Sequence, residues 1–307
     1  MALKGITVLE LSGLAPSQFC GHILADFGAK VIRIDKVGHL GPHEQLLGHG
    51  KKSVSVNLKL QQGRDVIKKL STKSDVLIEP FRAGDFAAGS VLCALGIVMA
   101  LFERTRTGKG QVVDLSITRG CSYLASWIFA TKDSLWSDQR GRNLLDGGTY
   151  LYNTYETKDG KWMAVGALEK KFYDNVLIGL GLKEEDCPYF SENGFSIFTR
   201  IFKEKTQAEW IKIFKNLDAC VTPVLSLEES INSRSEDFTA NTNTHLPLPL
   251  PEPRLSQSFG SSPSNSYKSP LVGEHTEAVL LEAGYSKTEI KELAEQNIVY
   301  LSQKSKL

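Results

Sequence analysis

The sequence predicts an α/β protein in which a parallel sheet is joined to a second, smaller α+β unit. Three observations carry this. Over the first hundred residues, strand-like runs alternate with helix-like runs, the pattern of a parallel sheet with right-handed crossovers. Around Asp146-Gly147-Gly148 the style changes to a hairpin followed by helices. The 307 residues, 41% hydrophobic and 23% charged, suit one large soluble domain or two ordinary ones.

Residues 6–11 are an apolar strand. Residues 16–28 follow as a helix, with Phe19, Ile23, Leu24 and Phe27 at helical spacing and Gly28 as its stop. KVIRID at 30–35 is the second strand, and the strictly alternating SVSVNL at 53–58 the third. A short helix at 61–73 places Val66, Ile67 and Leu70 on one face, and residues 75–79 form the fourth strand. The apolar run 86–102 reads as a core helix, because it is shorter than the roughly 20 residues a bilayer span needs and carries Gly89, Ser90 and Gly96. QVVDLSI at 111–117 reads as a further strand. YLYNTYE, the Asp159-Gly160 turn and residues 162–165 form a hairpin. Helices are expected at 170–180, 194–203 and 207–217. Residues 237–273, rich in Pro, Ser, Asn and Thr, read as an extended linker. Ser286 with Glu289 makes a capping box for a helix from 287 to about 296. The expected organisation is therefore 1–145, 146–236, a linker at 237–273, and 274–307.

A formal net charge of +1 leaves no footprint for nucleic acid. The five cysteines are scattered and lack a CxxC, so reduced thiols are expected. MALKGITVLEL reads as a strand, without the apolar core of a signal peptide. The final Ser305, Lys306 and Leu307 spell the peroxisomal address, which a soluble receptor reads.

The opening strand–helix–strand invites a dinucleotide reading, but Gly13 stands alone where the fingerprint needs three glycines to admit a pyrophosphate. No metal constellation emerges among the six histidines. His39 and His43 stand four apart but are surrounded by Gly38, Gly41 and Pro42, which make a loop. No Gly-x-Ser-x-Gly elbow is present. Asp85 sits between a strand end and a helix start, where an open α/β sheet binds ligands and where a helix N-terminus stabilises a carboxylate. An N-cap role fits the same position. Lys51, Lys52 and Lys59 flank the third strand and Lys36 follows the second; Lys36 and Lys59 could reach phosphates, and solvated charge is the equally weighted alternative. Glu169 lies where a strand turns into a helix in the smaller unit, and by position alone is a first-turn acid.

Several long blocks occur together: residues 1–38, DVLIEPFR, LCALGIVMALFERTRTGKGQVVD, DGKWMAVGALEKKFY and DACVTPVL. In this order they resemble family III of the CoA-transferases (the CaiB/BaiF superfamily), and within it the branch that inverts C2 of 2-methyl-branched acyl-CoA thioesters. The resemblance implies a Rossmann-like large domain built from both chain ends, a small α+β domain and an interlocked homodimer. It also implies chemistry without metal or redox cofactor, acyl-CoA being the substrate. Asp85 matches the family's catalytic Asp and Glu169 its nearby Glu. Lys36 stands where the family usually has an Arg for CoA phosphate. Val56, Asn57, Leu58 and Lys59 match a CoA-binding strand end, and Arg82 matches the Arg after Glu-Pro-Phe.

The family's catalytic His has no counterpart, because Arg82 runs directly into Ala83-Gly84-Asp85 where the family has several dozen further residues. The sequence therefore predicts a racemase lacking one internal segment and one of two acid/base groups. It also predicts that the fourth strand, the apolar helix and 111–117 close the gap as a direct βαβ unit. Two other readings stand: a CoA-transferase using Asp85 as nucleophile, and a truncated form that dimerises without turnover.

Overall fold

The computed structural model describes residues 1–13, 15–38, 47–79, 86–137, 139–239, 247–257 and 269–302. The chain divides into two compact units, one of Met1–Leu124 with Arg234–Leu307 and the other of Ala125–Ser233. The unit boundaries thus fall at 124/125 and 233/234, where the sequence reading placed them at 145/146 and 236/237. Each unit is described by itself.

The first unit is built on five strands: β1 (Thr7–Leu11), β2 (Lys30–Asp35), β3 (Lys51–Val56), β4 (Val76–Ile78) and β8 (Val299–Tyr300). Their order is β4-β1-β2-β3-β8. The first four are mutually parallel, and β8 closes one edge antiparallel to β3. The order β3-β2-β1-β4 is that of half a doubly wound sheet, whose switch point lies between β1 and β4. Helices cover both faces, which explains why the strands read as nearly continuous apolar runs.

One face carries Leu9, Leu11, Ile32, Ile34, Val54 and Val56. They pack against α2 (Gln61–Ser71), α11 (Thr276–Glu282) and α12 (Lys287–Glu295) through Val66, Leu70, Val279, Leu280 and Ile290. The Ser286–Glu289 capping box forms as predicted at the start of α12. The opposite face carries Val8, Val31 and Ile78 against α1 (Ala15–Asp26) and α3 (Phe86–Thr107). Residues 247–257 lie against the first unit, with Phe238 bridging Pro249 and Arg254 paired to Asp237 at 2.6 Å.

Two expectations fail here. The segment 111–117 is not a strand: 111–116 has no regular structure, and Ile117 begins α4 (Ile117–Leu124). It does not pair with β4, whose only described neighbour is β1, so the direct βαβ closure does not form. The segment lies along α3 instead. A Cβ on Gly89 would come within 2.9 Å of Ile117 Cγ1, and one on Gly96 within 2.8 Å of Val113 Cγ1. An alternating run becomes a strand only when an edge is there to pair with it, and here the small residues of α3 offer a groove first. The second failure is the burial of α3. Ala94 and Ile97 pack inward, but Val91, Leu95, Val98, Met99 and Phe102 are exposed. Its part from Ala88 to Thr107 is also long and apolar enough, by length and composition, to cross a membrane.

The second unit starts with two short helices, α5 (Ser126–Ala130) and α6 (Lys132–Leu135), and α7 (Lys170–Leu180) follows its hairpin. The predicted hairpin is present as β5 (Tyr152–Glu156) and β6 (Trp162–Gly166), and β7 (Val221–Val224) adds a third antiparallel strand. With α8 (Gly194–Phe202), α9 (Gln207–Phe214) and α10 (Leu227–Ser233) they enclose an aromatic core. Tyr150, Tyr155, Tyr173, Phe198, Phe202, Trp210 and Phe214 supply its aromatic members.

Candidate active site

Because β1 to β4 are parallel, their C-terminal ends at Leu11, Asp35, Val56 and Ile78 share one edge of the sheet. Lys36 follows β2 directly and is exposed, with no ion-pair partner among the described residues. Val56 ends β3 and is buried, with Asn57 and Leu58 half-buried after it and Lys59 exposed. Asn57 donates its amide to Ile298 O at 2.8 Å and its Oδ1 accepts from the Lys59 amide at 3.2 Å, which fixes this strand end. Neighbouring strands lie about 4.8 Å apart, so Lys36 and Lys59 stand on adjacent strand ends. Arg82 and Asp85 follow β4 to the same edge in sequence but lie outside the described residues, as do Ser305, Lys306 and Leu307 and also His39 and His43. α3 begins one residue after Asp85.

Beneath this edge lies a buried polar scaffold that the sequence reading missed. Asp35 is fully buried and accepts from Arg33 Nε and a second guanidinium nitrogen, both at 2.8 Å, from Ser12 Oγ at 2.7 Å and from Ser53 Oγ at 2.5 Å. Both carboxylate oxygens are thereby occupied. The acid that ends β2 is thus engaged within the scaffold, where the dinucleotide fingerprint uses such an acid to hold a ribose. His275 braces the same strand, its Nδ1 accepting the Ser53 amide at 3.2 Å, while burial pushes its imidazole below its ordinary value. The signal was present in KVIRID, where Arg33 and Asp35 share one strand face in an otherwise apolar run.

Two of the lysines flanking the third strand are engaged in ion pairs. Lys51 is fully buried and reaches Glu10 Oε2 at 2.8 Å and Gln18 O at 2.8 Å. Burial pushes Glu10 up and Lys51 down, each held back by the other. Lys52 pairs with Glu282 at 3.1 Å.

Glu169 belongs to the second unit. It is the N-cap of α7, yet its side chain makes no capping bond; it lies exposed, 3.5 Å from Lys171 Nζ. Two grooves open on this unit. The larger, about 490 Å³, is lined by Leu145, Asp146, Tyr152, Asn153, Val165 and Thr222 among others, and neither groove contains Glu169. Among the described residues the histidines are His22, His49 and His275. None of these three follows a strand end at the ligand edge.

The model of CoA-transferase family III matches residues 3–88 and again 82–276. Both matches include 82–88, so the break falls within these residues. The chain is 38% identical to α-methylacyl-CoA racemase of Homo sapiens, over 97% of this chain and 98% of that protein. That comparison runs over 379 positions against a chain of 307 residues, so several dozen positions of the relative have no counterpart here. Among solved structures, Rv3272 from M. tuberculosis is 16% identical with a TM-score of 0.70, covering 90% of this chain and 98% of its own. A CaiB/BaiF family protein from Brucella suis is 17% identical with a TM-score of 0.67, covering 92% and 99%. The family match extends over most of the chain and the fold agrees with it: this chain belongs to family III of the CoA-transferases.

Proposed function

We propose that the chain binds 2-methyl-branched acyl-CoA thioesters and moves the C2 proton through an enolate, as a racemase that has lost one of its two acid/base groups. The observation that carries this is identity to the human racemase that continues on both sides of the break at 82–88. In this reading Lys36 and Lys59 take the CoA phosphates, with Val56, Asn57 and Leu58 against the nucleotide and Arg82 nearby. Asp85 is the base on one face of C2, and Glu169 is the residue matched to the family's nearby Glu. Lys36 supplies charge but not the forked geometry of an Arg.

A racemase needs a proton donor on the face opposite the base, because a single fixed group tends to return the proton to the face it left. Loss of such a group costs about 10²–10⁴-fold. Slow inversion with faster exchange is therefore expected. The test is incubation of the purified chain with (2R)- and (2S)-2-methylacyl-CoA separately in D₂O, following deuterium and configuration at C2. The reading predicts deuterium uptake that Asp85→Asn abolishes, with inversion at least about 100-fold slower than in a full-length relative. No exchange by a folded chain that binds CoA would overturn it. Transfer of the acyl group to a free acid would instead favour the CoA-transferase reading, in which Asp85 is a nucleophile.

A homodimer is part of this proposal, supported by the exposed apolar residues of α3 and by Tyr123, Trp127 and Phe129. A peroxisomal address, read from Ser305, Lys306 and Leu307, belongs to the same proposal. Sedimentation and a fluorescent fusion test them.

A further inference from the structure

A cluster of side chains stands at the opposite edge of the sheet. α1 runs back from the end of β1 toward the start of β2, so its last turn lies at the N-terminal edge, and His49 comes two residues before β3 begins. His22 and Asp26 are one helical turn apart on α1 and face the same way. His22 Nε2 lies 3.4 Å from Asp26 Oδ2, and His49 Nε2 3.0 Å from Asp26 Oδ1. The two imidazole rings meet edge to face with centroids 4.3 Å apart. One potential ligand atom from each of the three residues lies within 4.8 Å of the others.

We propose that His22, Asp26 and His49 bind a divalent transition-metal ion, zinc by ligand type. Two imidazoles and a carboxylate are the donor set that zinc accepts, with bonds of about 2.0–2.1 Å and hence ligand–ligand edges of about 3.3 Å in a tetrahedron. Each imidazole lies within 3.4 Å of one Asp26 oxygen, and one ligand atom from each residue lies within 4.8 Å of the others, so side-chain rotation must bring them in to close the site. Charge points the same way. Asp26 is a buried carboxylate whose ion-pair contacts among the described residues are these two imidazoles, and a buried carboxylate calls for a full positive charge. His22 also keeps a buried Nδ1 without a hydrogen-bond partner, so its present contacts leave one ring nitrogen unused. The three side chains are about one-tenth exposed, enough to admit an ion and leave water in the fourth position.

The site is separate from the acyl-CoA edge, so its role is to staple the end of α1 to the chain entering β3. The sequence hid it because His49 is 23 residues beyond Asp26, outside the spacing of any short metal motif.

The experiment uses the full chain without an affinity tag, stripped with a chelator and titrated calorimetrically with zinc alone, then with cobalt for its visible spectrum. Expected are one saturable site, weakened at least about tenfold in His22→Gln, His49→Gln and Asp26→Asn, and tetrahedral cobalt bands without a thiolate charge-transfer band. The exposed thiols Cys121 and Cys220 are the alternative ligands, so Cys121→Ser/Cys220→Ser is the control and should bind as the parent does. Undiminished affinity in the histidine variants, binding that follows the cysteines, or no saturable binding by the parent would overturn the site. If a variant fails to fold, the parent's cobalt spectrum decides: nitrogen and oxygen ligation supports the site, and thiolate bands or none refute it.

Discussion

The second unit and the β4–α3 flank of the first are both rich in apolar side chains but treat them in opposite ways. In the second unit the aromatics interlock: Phe202 lies 5.1 Å from both Tyr155 and Trp210, ring centroid to centroid. Each buried polar tip also finds an acceptor. Tyr155 Oη donates to Tyr150 O at 2.6 Å, Tyr150 Oη to Pro188 O at 3.0 Å, Trp210 Nε1 to Phe202 O at 2.8 Å, and Tyr173 Oη to Cys187 O. At the flank, α3 turns one face inward and leaves Leu95, Val98, Met99 and Phe102 in solvent, while β4 exposes Leu77. The difference teaches how unevenly the chain buries its apolar surface. The second unit closes its core. The flank beside residues 82–88, where the two family-model matches overlap, leaves apolar side chains uncovered.

The largest test of this contrast is Trp210→Ala. The side chain is fully buried, and truncation of such a residue costs about 3–5 kcal/mol. Urea unfolding should show the loss. Lys51→Met should cost a similar amount, about 3–5 kcal/mol, because it leaves Glu10 buried without its cation. The pair Glu10→Leu/Lys51→Met should regain most of it. If the double variant stays as unstable as the single, Lys51 acts through packing and not through charge.

The legible parts of the fold were those where local pattern and tertiary context agree. KVIRID, the 61–73 helix, the Asp159-Gly160 hairpin and the Ser286 cap needed only periodicity, turn chemistry and capping. QVVDLSI failed because its fate depends on whether a neighbouring strand exists, which no local pattern reports. The burial of α3 failed for the same reason: a run apolar on all sides tells what it could bury against, not what is there. At the candidate site, strand ends placed Lys36 and Lys59 at one edge by topology alone. The Asp35 scaffold and the His22–Asp26–His49 cluster come from residues far apart in sequence, joined only by the parallel register.

A pH titration sharpens the comparison within the first unit. Burial pushes the His22 imidazole down to about 4, with His49 and Lys51 adding to the effect and Asp26 opposing it. An unfolded imidazole titrates near ~6.5. Between these values the unfolded chain binds the extra proton, so stability is intact above the upper value and falls as pH drops through the window. The full loss is about 3 kcal/mol once the pH is below the lower value. Metal-free chain should show this slope between about pH 6.5 and 4, and His22→Gln should flatten it. An unchanged slope in that variant would mean other buried groups carry the acid sensitivity.

The smallest effect on stability is expected at Phe102, and it is the most informative about the flank. Its side chain is 68% exposed, and substitutions at such positions stay within about 0.5 kcal/mol. Phe102→Ser should therefore leave urea unfolding unchanged while reducing self-association and the binding of an apolar dye, because it interrupts a contiguous apolar face. Sedimentation at several concentrations separates two cases. If association weakens and stability holds, the face is a surface whose cover comes from outside the chain. If stability falls by as much as in Trp210→Ala, Phe102 is already covered within the folded chain, and the contrast between the closed unit and the open flank is lost.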